Sequence, residues 1–123
     1  MNRQERKNLL LELNKKLKQE KLLGAQKKEI IVGKSKGVIF TISKNYIDQL
    51  VAIHKFLKNN KEITEQDFDN LLKTSFVNFR FVKKLNRTMP DFLNELKTHG
   101  PMWIAKDYVY NIHIDKELER RLP

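Results

Sequence analysis

Few side chains in this sequence are spaced for chemistry, and the carboxylates come first. Glu65, Asp67 and Asp69 alternate along "TEQDFD", a spacing that could hold a metal or supply an acid/base pair. Thr64 stands three positions before Asp67, the pattern in which a hydroxyl takes an orphan backbone N–H of a helix start. A capped, solvated first turn is the commoner use of such residues, and they are read so. Of three histidines, His54, His99 and His113, no two have the spacing of helical metal ligands. His54 falls within an apolar arc and reads as a core residue. His99 lies at the end of a helical segment, where a cation suits the dipole, and His113 alternates with Ile112 and Ile114 as on a strand. The run Gly33-Lys34-Ser35-Lys36-Gly37 lacks the G-x-x-x-x-G-K-[ST] spacing of a phosphate loop. There is no cysteine, which removes disulfides, thiolate nucleophiles and Cys-ligated zinc or iron–sulfur centres. The expectation is a non-enzymatic protein with no catalytic residue, metal or cofactor.

The remaining chemistry is cationic. In "SFVNFRFVKKLNRT", Ser75 to Thr88, helical periodicity puts Arg80, Lys83, Lys84 and Arg87 in one stripe about 100° wide, with Phe76 at its N-terminal end. Val77, Phe79, Phe81, Val82 and Leu85 occupy the opposite arc. No acid occurs between Ser75 and Pro90. A stripe of one sign on a helix held by its other face is suited to phosphates, and arginine can also fork onto guanine. The whole chain carries the same sign, with 25 Lys and Arg against 15 Asp and Glu and a net charge of +10. A balance that basic favours a polyanionic partner. Lys106, Lys15 and Lys18 are candidates for further phosphate contacts, and Trp103, Tyr108 and Tyr110 for base stacking.

The elements that must position these residues follow from pattern. Residues 3 to 22 are free of Pro and Gly and read as a helix, with Leu9, Leu10, Leu13 and Leu17 on one face. Counting Met1 to Lys28 gives nine cations and three anions, so this segment supplies +6 of the +10. Its narrow Leu seam could pack on the domain or pair with a partner. "EIIVGKSKGVIFTIS" reads as a hairpin over about 29–42. Residues 45 to 58 form a helix with an apolar arc broad enough to pack on two sides. "ITEQDFDNLLK" is a further helix, buried through Phe68, Leu71 and Leu72, with a net −3 between Glu62 and Lys73. "TMPDFLNELKTHGP" is a helix capped by Thr88, opened by Pro90 and closed by Gly100-Pro101. "MWIAKDYVYNIHI" reads as two strands around Ala105-Lys106-Asp107, with Tyr108 and Tyr110 on one strand face, followed by a helical tail. Two parts result: a basic N-terminal helix with its connection, 1–28, and a single domain, 29–123.

Three helices followed by a hairpin across residues 45 to 114 resemble a winged helix-turn-helix DNA-binding domain. The resemblance covers a little over half the chain and is one of pattern. It implies an α+β, mostly helical fold with a C-terminal hairpin wing bearing Lys106 at its tip, and a recognition helix at Asp91–His99. That helix carries Asp91 and Glu95, so charge selects the Ser75–Arg87 segment as the contact face. The expected function is binding of DNA, duplex or single-stranded, as a transcriptional regulator or as an accessory factor in replication or mobile-element maintenance. The alternative is a subunit that docks on a larger replication protein, or on a second copy, through Leu9, Leu10, Leu13 and Leu17. No run approaches the length of a membrane span, so the expected location is the cytoplasm.

Overall fold

The computed structural model describes residues 3–22, 28–59, 64, 66–67 and 76–121, without the side chains of 19–22, 35 and 115–121. The order of elements is α1 (Arg3–Leu22), β1 (Glu29–Ser35), β2 (Val38–Ser43), α2 (Lys44–Asn59), α3 (Phe79–Lys84), α4 (Met89–His99) and α5 (Pro101–Arg121). The fold is mostly helical with one two-stranded antiparallel sheet, as the α+β reading expects.

At the centre lies α2. Its buried residues Ile47, Leu50, Ala52, Ile53, Phe56 and Leu57 cover the broad arc expected of a helix packed on two sides. Helices α1, α4 and α5 and strand β2 all pack on it. Leu13 and Leu17 of α1 are buried in the same core, with Leu9 and Leu10 half-buried beside them. Burial of each Leu stabilises the fold by roughly 1.5–3 kcal/mol. The seam read as a partner-binding face is therefore largely consumed within the chain, and α1 is part of the core packing. Buried Gln49 reinforces this junction. Its Nε2 donates to the Leu17 carbonyl at 3.4 Å, and its Oε1 accepts from the Val77 N–H at 2.9 Å.

The hairpin forms where expected. Lys36 and Gly37 both take positive φ, 49° and 79°, which matches the twist of a two-residue hairpin turn. The register slips between Ile31 and Gly33, leaving Val32 as the extra residue of a bulge. Phe40 and Ile42 point into the core, while Ile31 and Ile39 are exposed.

The C-terminal segment differs from expectation. Residues 102–114, expected as the two strands of a C-terminal wing, belong instead to the single helix 101–121, and among the described residues the sheet at 29–43 has no second hairpin beside it. The aromatic and β-branched alternation of "YVYNIHI" suggests a strand. Helical spacing nonetheless buries Ile104, Ala105 and Tyr108 on one face, with Ile112 half-buried beneath them. Ala105-Lys106-Asp107 contains no Gly, Pro or Asn to force a turn, so packing on α2, α3 and α4 decides the outcome.

At the acidic segment, Thr64 and Asp67 make the reciprocal cap. The Asp67 N–H donates to Thr64 Oγ1 at 3.3 Å, and the Thr64 N–H to Asp67 Oδ2 at 3.2 Å. Arg6 of α1 pairs with the same Asp67 carboxylate. Glu65, Asp69, Phe68, Leu71 and Leu72 lie outside the described residues.

Candidate nucleic-acid interface

Helix α3 is shorter than periodicity suggests, and its ends explain why. Asn78 caps the start, its Oδ1 accepting from the Phe81 N–H at 3.1 Å, and this fixes the first helical residue at Phe79. Asn86 ends it in the left-handed region at φ 57°. The chain then enters the Thr88 cap of α4, where Thr88 Oγ1 accepts from the Asp91 N–H at 3.3 Å. Phe81, Val82 and Leu85 are buried and fasten α3 to the core. Arg80, Lys83 and Lys84 are exposed, and among the described residues none of the three makes an ion pair.

Arg87 is separated from that group. Beyond the turn at Asn86, its Nε donates to Glu95 Oε2 at 2.7 Å, its Nη1 to the Leu85 carbonyl at 3.1 Å, and its Nη2 lies 3.4 Å from Asp107 Oδ2. The hydrogen bond that Arg87 donates to Glu95, with the charges of Glu95, Asp107 and Asp91 around it, holds the guanidinium above its usual range despite partial burial. Of the four-cation stripe, three members stand on α3 and the fourth clamps the turn to α4 and α5.

The other candidates disperse. Lys106 is exposed in the middle of α5, not at a hairpin tip, and its Cε packs near Gly33 of the hairpin. Tyr108 and Tyr110 do not share a face. Tyr108 is only 9% exposed and stacks on Phe81 at 4.1 Å between centroids, whereas Tyr110 is 40% exposed and stacks on Phe40 at 5.2 Å. Burial, with Tyr46 beside it, pushes the Tyr108 phenol up to about 12. Trp103 is 54% exposed and stacked on His99 at 4.5 Å. Lys15 and Lys18 are exposed on α1. His113 is half-buried with its ring edge-on to Phe40, and half-buried His54 lies against Gly100 at the α4–α5 junction. Among the described residues no cluster of His, Asp and Glu is arranged to hold a metal ion.

A cavity of about 350 Å³ opens beside α3. Tyr46, Phe76, Phe81 and Tyr108 wall it, and Arg80 and Lys84, one helical turn apart, stand at its rim. Sequence reasoning missed Tyr46 and Phe76 as site residues. Phe76 carried a signal, because it is the one aromatic on the cationic side of the helical wheel. No protein-family model, curated protein or solved structure matches this chain. Among the described residues no helix is long and apolar enough to cross a membrane.

Proposed function

We propose that this protein binds nucleic acid without catalysing a reaction on it, and that α3 supplies the grip. The observation that carries the reading is the trio Arg80, Lys83 and Lys84. They are exposed, free of ion pairs among the described residues, and mounted on a helix held to the core through Phe81, Val82 and Leu85, although Phe79 of the same arc is exposed. A fixed row of cations, unpaired among the described residues, on a chain of net charge +10 suits a polyanion better than a scattered surface would. Helices α3 and α4, joined through left-handed Asn86, would take the part of the helix-turn-helix in the winged-helix reading. Among the described residues helix α5, and not a hairpin, follows them; α3 would grip the phosphate backbone, and α4, with Asp91 and Glu95, would stay off it. A DNA-binding role in transcription, replication or mobile-element maintenance is the corresponding setting.

Fluorescence anisotropy with duplex DNA, single-stranded DNA and RNA across 50–200 mM salt tests the proposal. Wild-type affinity should fall steeply with salt, and the triple reversal R80E/K83E/K84E should lose both affinity and salt slope while keeping its circular dichroism. Unchanged binding by a folded triple variant would refute it.

Docking on a larger protein is a second reading, favoured by a different surface from the N-terminal Leu seam. Ile31, Val38 and Ile39 on the hairpin and Met102, Trp103 and Ile114 on α5 are all exposed. Charge reversal on α3 should leave such docking intact, whereas Ile39→Lys should abolish it in a co-purification assay.

A further inference from the structure

The cavity beside α3 has a chemistry that a plain cationic surface lacks. Three of its rings, Tyr46, Phe81 and Tyr108, lie within 21–28° of parallel to one another. They stack on one another, and Phe81 and Tyr108 are buried, so Tyr46 and Phe76 are the rings a guest could stack on. Phe76 is tilted by 50° from Tyr46, with centroids 5.6 Å apart, and lines the cavity from the segment preceding α3. Aromatic clusters in a core ordinarily close upon themselves. This one leaves about 350 Å³ open, at the lower end of the roughly 300–1,000 Å³ over which small ligands are held. Tyr46 and Phe76 are only half-buried, so the aromatic faces remain reachable.

Composition of the lining narrows the guest. Among the described residues no carboxylate lines the cavity, and both charged residues that do, Arg80 and Lys84, are cations. An apolar guest would gain nothing from those two, and an inorganic anion would gain nothing from the rings. A planar ring joined to an anionic group uses both. The phenols of Tyr46 and Tyr108 hydrogen-bond each other, and the half-buried Tyr46 oxygen keeps a lone pair for the polar edge of such a ring.

Resting on the nucleic-acid reading above, we infer that this cavity receives one unstacked base of a single strand, with the adjoining phosphate held by Arg80 and Lys84. A base inside a duplex is already stacked and paired, and extruding it costs a few kcal/mol. The cavity therefore makes the protein prefer single strands, while the cations alone would accept either form. Base–aromatic stacking tolerates any base, so the preference is for strandedness and not for sequence.

The probes are a single-stranded oligonucleotide with one 2-aminopurine, the duplex of the same length, and the free nucleoside monophosphate. Expected results are at least tenfold tighter binding of the single strand than of the duplex at equal salt, and quenching of 2-aminopurine emission on binding. Free monophosphate should bind far more weakly than the strand, because Lys83 and the remaining cations contribute only along a chain of phosphates. Phe76→Ala should weaken single-strand binding roughly tenfold, within the range of one lost stacking contact, and leave duplex affinity unchanged. Phe76→Leu keeps apolar volume without a ring and should show the same loss, which separates stacking from unfolding. Equal affinity for single strand and duplex, or a folded Phe76→Leu that loses no single-strand affinity, overturns the cavity assignment and leaves the nucleic-acid reading standing. Binding of free monophosphate as tightly as the strand would instead make the cavity a nucleotide site. Absence of binding to any nucleic acid at low salt overturns both.

Discussion

Arg87 Nε donates to Glu95 Oε2 across 2.7 Å, and the same guanidinium reaches Asp107 at 3.4 Å. One side chain in the turn after α3 thereby ties that turn to α4 and α5. A cation so engaged is a positioning residue, which makes it separable from Arg80, Lys83 and Lys84 in experiment.

Arg87→Ala should lower the stability to urea by about 1 kcal/mol, since a pair a third exposed is screened by solvent and contributes less than a buried one. Its effect on the salt slope of nucleic-acid binding should be nil. Lys83→Ala should do the reverse, reducing the slope by roughly 0.7–0.9 per lost phosphate contact and leaving the urea midpoint unchanged. Parallel denaturation and salt titrations check both halves.

Tyr108 gives a pH dependence at the alkaline end. Its phenol is pushed up to about 12 by burial, with Tyr46 adjacent, from an ordinary value near 10. Above pH 10 the unfolded chain ionises this phenol first, so the folded state retains more protons and stability falls as pH rises. The contribution is fully present below pH 10 and is lost through about pH 12, reaching roughly 2–3 kcal/mol at about 1.4 kcal/mol per tenfold change in proton affinity. The measurement is the difference between wild type and Tyr108→Phe, which isolates this phenol from every other titrating group. The decline should be shallower in the variant by that amount.

Asn86 ends α3 at φ 57°. Asn86→Gly should be neutral or slightly stabilising, because glycine adopts the left-handed region without steric cost. Asn86→Val should destabilise by about 1–2 kcal/mol. Thermal melts of the two variants against wild type give the comparison.

Gln49 is fully buried between α1 and the segment entering α3. Gln49→Leu deprives the Val77 N–H and the Leu17 carbonyl of this amide and should cost about 2–3 kcal/mol. Chemical denaturation measures the loss, and a variant as stable as wild type would show that water replaces the amide.

Local signals were legible where a residue type has one geometric use. Thr88-Met89-Pro90-Asp91 and Gly100 bound α4, and positive φ at Lys36-Gly37 makes the hairpin turn. The arc of α2 announced its burial in the same way. At 102–114 both periods fit the same side chains, and only the presence of α2, α3 and α4 to receive Ile104, Ala105 and Tyr108 decides for a helix. The cation stripe was half legible. Periodicity assigned Arg80, Lys83 and Lys84 to one side, but a single left-handed residue, Asn86, turned Arg87 out of register. The cavity needed tertiary structure, because Tyr46 and Tyr108 lie 62 positions apart and meet only through α2 and α5.

The two hydrogen bonds of Gln49 also join parts of the molecule that share no sequence neighbourhood. Phe76, a wall of the cavity, adjoins Val77, whose N–H is held by Gln49, and Gln49 holds the end of the buried Leu seam of α1. Whatever orders the Phe76–Val77 segment favours the docked α1, and by reciprocity a docked α1 favours occupancy of the cavity. On the nucleic-acid reading, the basic N-terminal helix would thus be an energetic partner of the proposed binding face although it lies outside it. Its amide exchange should slow when an oligonucleotide binds at the other end of the Gln49 bridge.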